Sequence, residues 1–162
     1  MFKIGDPIVH PSRGAGVITA LIDRSVEGKV VRFYQIEMLG ETALRLLLPI
    51  ERAVEIGLRP AISKEQLPQV WEVLQAPPAD LPGNSRKRFR ALKEQLITAE
   101  TLQVAEVVRD INSRRQADGS LKTRDRNIYL ESLNLLSGEI AAAQGMELSA
   151  ARALVKGKIN QG

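Results

Sequence analysis

Ser63-Lys64-Glu65-Gln66-Leu67-Pro68-Gln69-Val70-Trp71-Glu72-Val73-Leu74 is the stretch where the chain changes its period. Leu67, Val70, Trp71 and Leu74 follow the i, i+3, i+4, i+7 spacing of an amphipathic helix, with Ser63 as the expected N-cap. Everything before this stretch reads as β. Ile8-Val9, Val17-Ile18, the run from Val30 to Met38 and the run from Leu44 to Leu48 are short apolar segments. Gly5-Asp6-Pro7, Pro11-Ser12-Arg13-Gly14, Glu27-Gly28-Lys29 and Gly40-Glu41 separate them with turn formers. Four or five such strands predict a small barrel or strongly bent sheet. A domain this small buries a modest core and gains stability by docking onto something else.

After Ser63 the helical period persists. Ala76-Pro77-Pro78 stops the first helix, and the proline- and glycine-rich segment to Asn84 is a loop. Phe89, Leu92 and Leu96 mark a second helix, and Val104, Val107, Val108 and Ile111 a third. Tyr129, Leu133, Leu136 and Ile140 mark a long fourth helix, and Ser149 is placed as the cap of a short last one. The fold class is therefore α+β in two domains. A small β-domain covers residues 1–60, and a compact all-α domain covers 61–162.

The composition excludes several chemistries. No cysteine is present among the 162 residues, so disulfides, thiolate catalysis and cysteine metal sites are excluded. The lone His10 lies beside Pro11 and reads as structural or solvated rather than as a base or ligand. Gly14-Ala15-Gly16 is followed by β-type residues, so it lacks the helix N-terminus of a phosphate loop and reads as a tight turn. No enzyme, cofactor or metal site is expected. The N-terminal segment has no signal-peptide h-region, and no apolar run approaches a membrane span, so a cytoplasmic protein is expected. Nothing marks a dimer interface, and the expectation is a monomer. Trp71 falls in an apolar stripe and is expected in the core rather than as an exposed stacking platform.

A net charge of +4 permits an anionic partner without requiring one. The sharper signal is local. Arg86-Lys87-Arg88-Phe89-Arg90-Ala91-Leu92-Lys93 carries five positive charges and no negative one. On a helix, Arg86, Arg90 and Lys93 share one stripe with Lys87 beside it, next to the apolar stripe of Phe89, Leu92 and Leu96. Asn84 and Ser85 occupy the expected N-cap region, where backbone N–H groups can meet a phosphate. Two readings stand: a helix start that contacts phosphates, or a solvated basic face. Lys122, Arg124 and Arg126 form a second cluster at the start of the long helix, interrupted by Asp125. Cations there oppose the helix dipole, which invites a reason beyond helix stability. Arg114 and Arg115 are candidates to extend that surface.

The opening Phe2-Lys3-Ile4-Gly5-Asp6-Pro7-Ile8-Val9-His10-Pro11-Ser12-Arg13-Gly14-Ala15-Gly16-Val17 resembles the start of the CarD/CdnL family. The polymerase-interacting domain of transcription-repair coupling factor shares that start. His10 stands where the family usually has an aromatic. Leu48-Pro49 with Val54-Glu55-Ile56-Gly57-Leu58-Arg59 resembles the family's closing β-segment, and Val70 to Pro77 its first helix. Val104 to Ile111 and Gly138-Glu139-Ile140-Ala141 resemble later helices, so the similarity spans about residues 1–144 in order.

The resemblance implies a Tudor-like or SH3-like β-domain followed by a helical domain. It implies two partners, the β-subunit lobe of RNA polymerase and promoter DNA at the upstream edge of the bubble. It also implies a non-catalytic activity, stabilising the open complex, and a nucleoid-associated location. Arg24 matches a position implicated in the polymerase contact, made by sheet-edge strand addition, and Arg45 lies near a second. Arg86, Arg88, Arg90 and Arg126 fall at basic positions the family uses on DNA. Ser85 stands where well-studied members carry a tryptophan that wedges into the minor groove. The alternatives are a nonspecific nucleic-acid-binding protein and a polymerase-docking adaptor with little DNA contact.

Overall fold

Glu27 and Gly28 both take positive φ, 51° and 79°, and close a two-residue hairpin between Val26 and Lys29. That turn matches the right-handed twist of its flanking strands. The hairpin joins β2 (Gly14–Val26) to β3 (Lys29–Met38), the two longest strands. With β1 (Pro7–His10), β4 (Leu44–Pro49) and β5 (Arg59–Pro60) they form an antiparallel sheet of order β4-β3-β2-β1-β5. This is a computed structural model, and it describes residues 1–40, 44–98 and 100–160. The turn expected at Gly40-Glu41 lies partly outside the described residues.

The sheet bends over a core of Ile8, Ile18, Tyr34, Ile36, Met38 and Leu48. Gly16 is needed there. A Cβ at that position would lie 2.7 Å from the Glu37 carbonyl oxygen and 2.8 Å from Ile36 Cγ2. Phe2 packs edge-on against Tyr34 and donates its backbone N–H to the tyrosine hydroxyl at 2.9 Å. The opening motif thus closes one end of the core. His10 is buried in β1, and its Nδ1 lies 3.2 Å from the Ser12 backbone nitrogen. Burial, followed by the nearby Arg13 charge, lowers its pKa.

Between β4 and β5 the chain departs from the expected β-segment. Ile50–Arg52 form a 3-10 turn and α1 (Ala53–Ile56) a single helical turn, ended by Gly57 at φ 93°. Ala53 and Leu58 turn inward and cover the sheet's core.

Among the described residues five further helices follow: α2 (Leu67–Gln75), α3 (Ser85–Ile97), α4 (Thr101–Asp118), α5 (Thr123–Gln144) and α6 (Leu148–Ile159). The plan is the expected one, an antiparallel β-domain followed by a helical domain. Two caps differ from expectation. α2 starts at Leu67, because Ser63 instead closes a preceding turn through Gln66. α6 starts at Leu148 with Glu147 as its cap residue, which leaves Ser149 inside the first turn. Trp71 is half-buried at the margin of the core, with Lys158 Nζ 5.5 Å from its ring centre.

α5 organises the molecule. It is buried on most sides, with Ile128, Leu133, Leu136 and Ile140 in the helical core. Its C-terminal half packs on the sheet, where Val9, Ala15 and Ala142 form a small buried junction. Glu139 locks that junction. Its carboxylate accepts two hydrogen bonds from Arg59 at 2.8 and 2.9 Å, one from the Ile62 N–H at 2.8 Å and one from the Thr101 hydroxyl at 2.8 Å.

Candidate nucleic-acid interface

Asn84 caps α3. Its side-chain oxygen accepts from the backbone N–H groups of Arg86 and Lys87 at 3.0 and 3.1 Å. Two of the donors expected to meet a phosphate are therefore already engaged within the chain. What the helix offers a ligand is its side chains. Arg86, Arg90 and Lys93 project along one stripe as the helical period requires, and Arg124 reaches the same place from the first turn of α5. These four cations, with Phe89, Glu94 and Ile97, line an open groove of about 440 Å³.

Packing of α3 against α5 thus brings Arg124 of the second basic cluster to the cationic stripe of the first. Arg86, Arg90 and Arg124 have no ion-pair partner among the described residues. Lys93 is held by Glu131 at 2.7 Å. A second cleft is lined by Ser85, Lys122 and Asp118, and also by the ion-paired Arg88, Arg114 and Asp125. Ser85 is exposed at the first turn of α3. Lys87 and Arg126 are also exposed, but neither lines the groove or this cleft.

Arg88 does not line the groove and is turned into the core, which corrects the expectation that it stands among the exposed DNA-contacting side chains. It is 2% exposed. Its guanidinium donates to both Asp125 oxygens at 2.9 and 2.8 Å, and also to the carbonyls of Pro82 and Gly83. Arg88 stands one turn before Leu92, on the side of α3 that faces the core. Asp125 also accepts from Arg114 at 3.1 Å. Burial pushes the Asp125 carboxyl up, but the hydrogen bonds and charges of Arg88 and Arg114 outweigh it and hold the pKa below its ordinary value. The acid that interrupts the second basic cluster is therefore turned inward, and its charge is matched by the buried Arg88 and the half-buried Arg114. Arg114 belongs to this internal network, and Arg115 lies over the Tyr129 ring at 5.0 Å.

On the β-domain, Arg24 and Arg45 are exposed on the same face of the sheet. Arg24 pairs opposite Val31, and Arg45 opposite Glu37 with a 3.9 Å ion pair. Those registers are six positions apart along β3, roughly 20 Å at ~3.3 Å per residue. The two arginines do not form one cluster. Residues 29–32 of β3 extend past the last β4 partner, Phe33↔Pro49, so among the described residues that edge carries no strand. Among the described residues no group of three metal-ligating side chains is found, and no helix is long and apolar enough to cross a membrane.

Two family models match. "CarD, C-terminal domain" covers residues 69–156, and "CarD-like/TRCF RID domain" covers residues 2–62. The Bacillus subtilis (strain 168) protein named "Putative transcription factor YdeB" is 25% identical over 146 residues, spanning 90% of this chain and 94% of that protein.

Proposed function

The chain belongs to the CarD family, and from that premise we propose that it docks on the β subunit of RNA polymerase and contacts promoter DNA near the upstream edge of the bubble. It thereby stabilises the open complex without catalysing a reaction. At the coarser level it is a transcription-related, polymerase-interacting protein, as its N-terminal domain match and its Bacillus relative indicate.

The observation that carries the DNA half is the groove between α3 and α5. Three cations without partners among the described residues, and a fourth beside them, converge there from helices distant in sequence. Convergent guanidinium groups on an open surface suit phosphate oxygens, which they can meet bidentately. The polymerase half is supported by the domain match and by the open edge of β3, which suits strand addition. Arg24, and more distantly Arg45, would flank that contact. In this reading the division of labour falls between residues 60 and 61, and the protein works as a monomer on the nucleoid in the cytoplasm.

One observation favours a second reading, an adaptor with little DNA contact. Ser85 gives the helix start no apolar face to wedge into a groove, and Arg88 is withdrawn into the core. Titration of the full chain against the isolated β-subunit lobe tests the polymerase contact. Binding is expected, and Arg24→Glu should weaken it by replacing attraction with repulsion at an interface. No binding of the wild-type chain would remove the polymerase reading, and unchanged affinity of the variant would remove Arg24 from the contact.

A further inference from the structure

The spacing of α3 hides an anomaly. Arg86, Arg90 and Lys93 continue at the same helical period to Ile97, so an isoleucine ends the cationic stripe. Ile97 is 73% exposed and does not belong to the core stripe of Leu92 and Leu96. Phe89, half-buried, forms the rest of the groove's apolar lining. Lys93, tethered to Glu131, lies 5.9 Å from the Phe89 ring centre and covers part of it, while the Ile97 end stays open.

Intact duplex presents phosphates outward and keeps its bases stacked inside, so a purely phosphate-binding surface has no use for an apolar floor. A groove that combines guanidinium groups with an exposed apolar floor matches a nucleotide whose base is free. We infer that this groove binds an unpaired nucleotide of single-stranded DNA, with Arg86, Arg90 and Arg124 on the phosphates and the base against the Ile97 and Phe89 side chains that line it. This rests on the DNA-contact reading above and deepens it by naming the form of DNA bound.

The test is an anisotropy titration of the full chain with three probes: a short single strand, the same sequence as a duplex, and the single strand carrying abasic positions. The single strand should bind most tightly. Removing its bases should weaken binding several-fold, near the lower end of the roughly 5- to 150-fold per base that stacking on an exposed aromatic ring contributes. Ile97→Ser, at an exposed position that leaves the core intact, should weaken the single strand several-fold and leave the duplex unchanged. Arg90→Ala should weaken both. Equal affinity for all three probes, with Ile97→Ser silent, would overturn the base site while leaving phosphate binding intact. Failure of every probe to bind, or binding indifferent to Arg90→Ala, would overturn both the base site and the DNA contact. If an acidic peptide displaces the single strand and itself binds more tightly in an Ile97-dependent way, the groove is a protein-docking site and the inference fails.

Discussion

Arg86, Arg88 and Arg90 are alternate residues of one short stretch, yet they have opposite fates. Arg86 and Arg90 face the groove, while Arg88 faces Asp125 in the interior. Substitution separates these roles. Each of Arg86→Ala and Arg90→Ala should lower the salt slope of DNA binding by about one unit and leave folding stability nearly unchanged. Arg88→Ala should instead cost toward the lower end of about 3–5 kcal/mol in chemical denaturation, because Asp125 keeps only Arg114 as a partner. A variant at Arg88 that folds normally but loses one unit of salt slope would return that residue to the surface. Ser85 sits beside the groove and can only cap, or meet a phosphate. A tryptophan there would add about 1–3 kcal/mol of stacking against an exposed base step. Ser85→Trp should therefore lengthen the open-complex lifetime by up to about 150-fold, and Ser85→Ala should change it little. The decay of open complexes on one promoter reads both, and a silent Ser85→Trp would mean that no wedge acts at this position.

The elements were largely legible because their periods are clean. Short apolar segments between turn formers mark the strands, helical spacing marks α2 to α5, and a candidate cap at Ser149 placed a short last helix close to α6. The single turn α1 was not legible: Ala53–Ile56 is too short to show a period, and its cause is tertiary, the need to cover the sheet with Ala53 and Leu58. The candidate site was legible in its parts and hidden in its assembly. The α3 stripe follows from local geometry, but nothing local says that Arg124 completes it, because that depends on how α3 packs against α5. The burial of Arg88 depends on Asp125, 37 positions away, although its place one turn before Leu92 carried a hint. Ile97 lies outside the apolar stripe of Phe89, Leu92 and Leu96, and its position on the cationic stripe is the only sequence signal that points to it. Between elements, Glu139 of α5 ties the linker, β5 and α4 together. Glu139→Ala leaves the Ile62 N–H without its acceptor and removes two hydrogen bonds from the Arg59 guanidinium, so it should cost about 1–3 kcal/mol in a denaturant titration. A double-mutant cycle with Arg59→Ala should show a coupling of about 0.5–3 kcal/mol. Zero coupling would mean that the junction is held by its apolar contacts alone.

The molecule as a whole joins two surfaces through α5. The β-domain carries an open strand edge, and the helical domain carries the cationic groove. The helix connects them because its C-terminal half packs on the sheet and its first turn contributes Arg124. Such an arrangement makes weak DNA contact useful. Nonspecific phosphate binding alone is on the order of 10⁻⁴–10⁻⁶ M at physiological salt. Docking on polymerase would raise the effective concentration of the groove at the promoter and turn that weak affinity into occupancy. The dependence on polymerase is the feature that separates this account from both a freestanding nucleic-acid binder and a docking adaptor. Promoter footprinting, with and without polymerase, and with wild-type or Arg86→Ala/Arg90→Ala protein, tests it most directly. The account predicts added protection at the upstream edge of the bubble only when polymerase is present, and loss of that protection in the double variant. Equal protection without polymerase, or a polymerase footprint that the wild-type protein leaves unchanged, would contradict it.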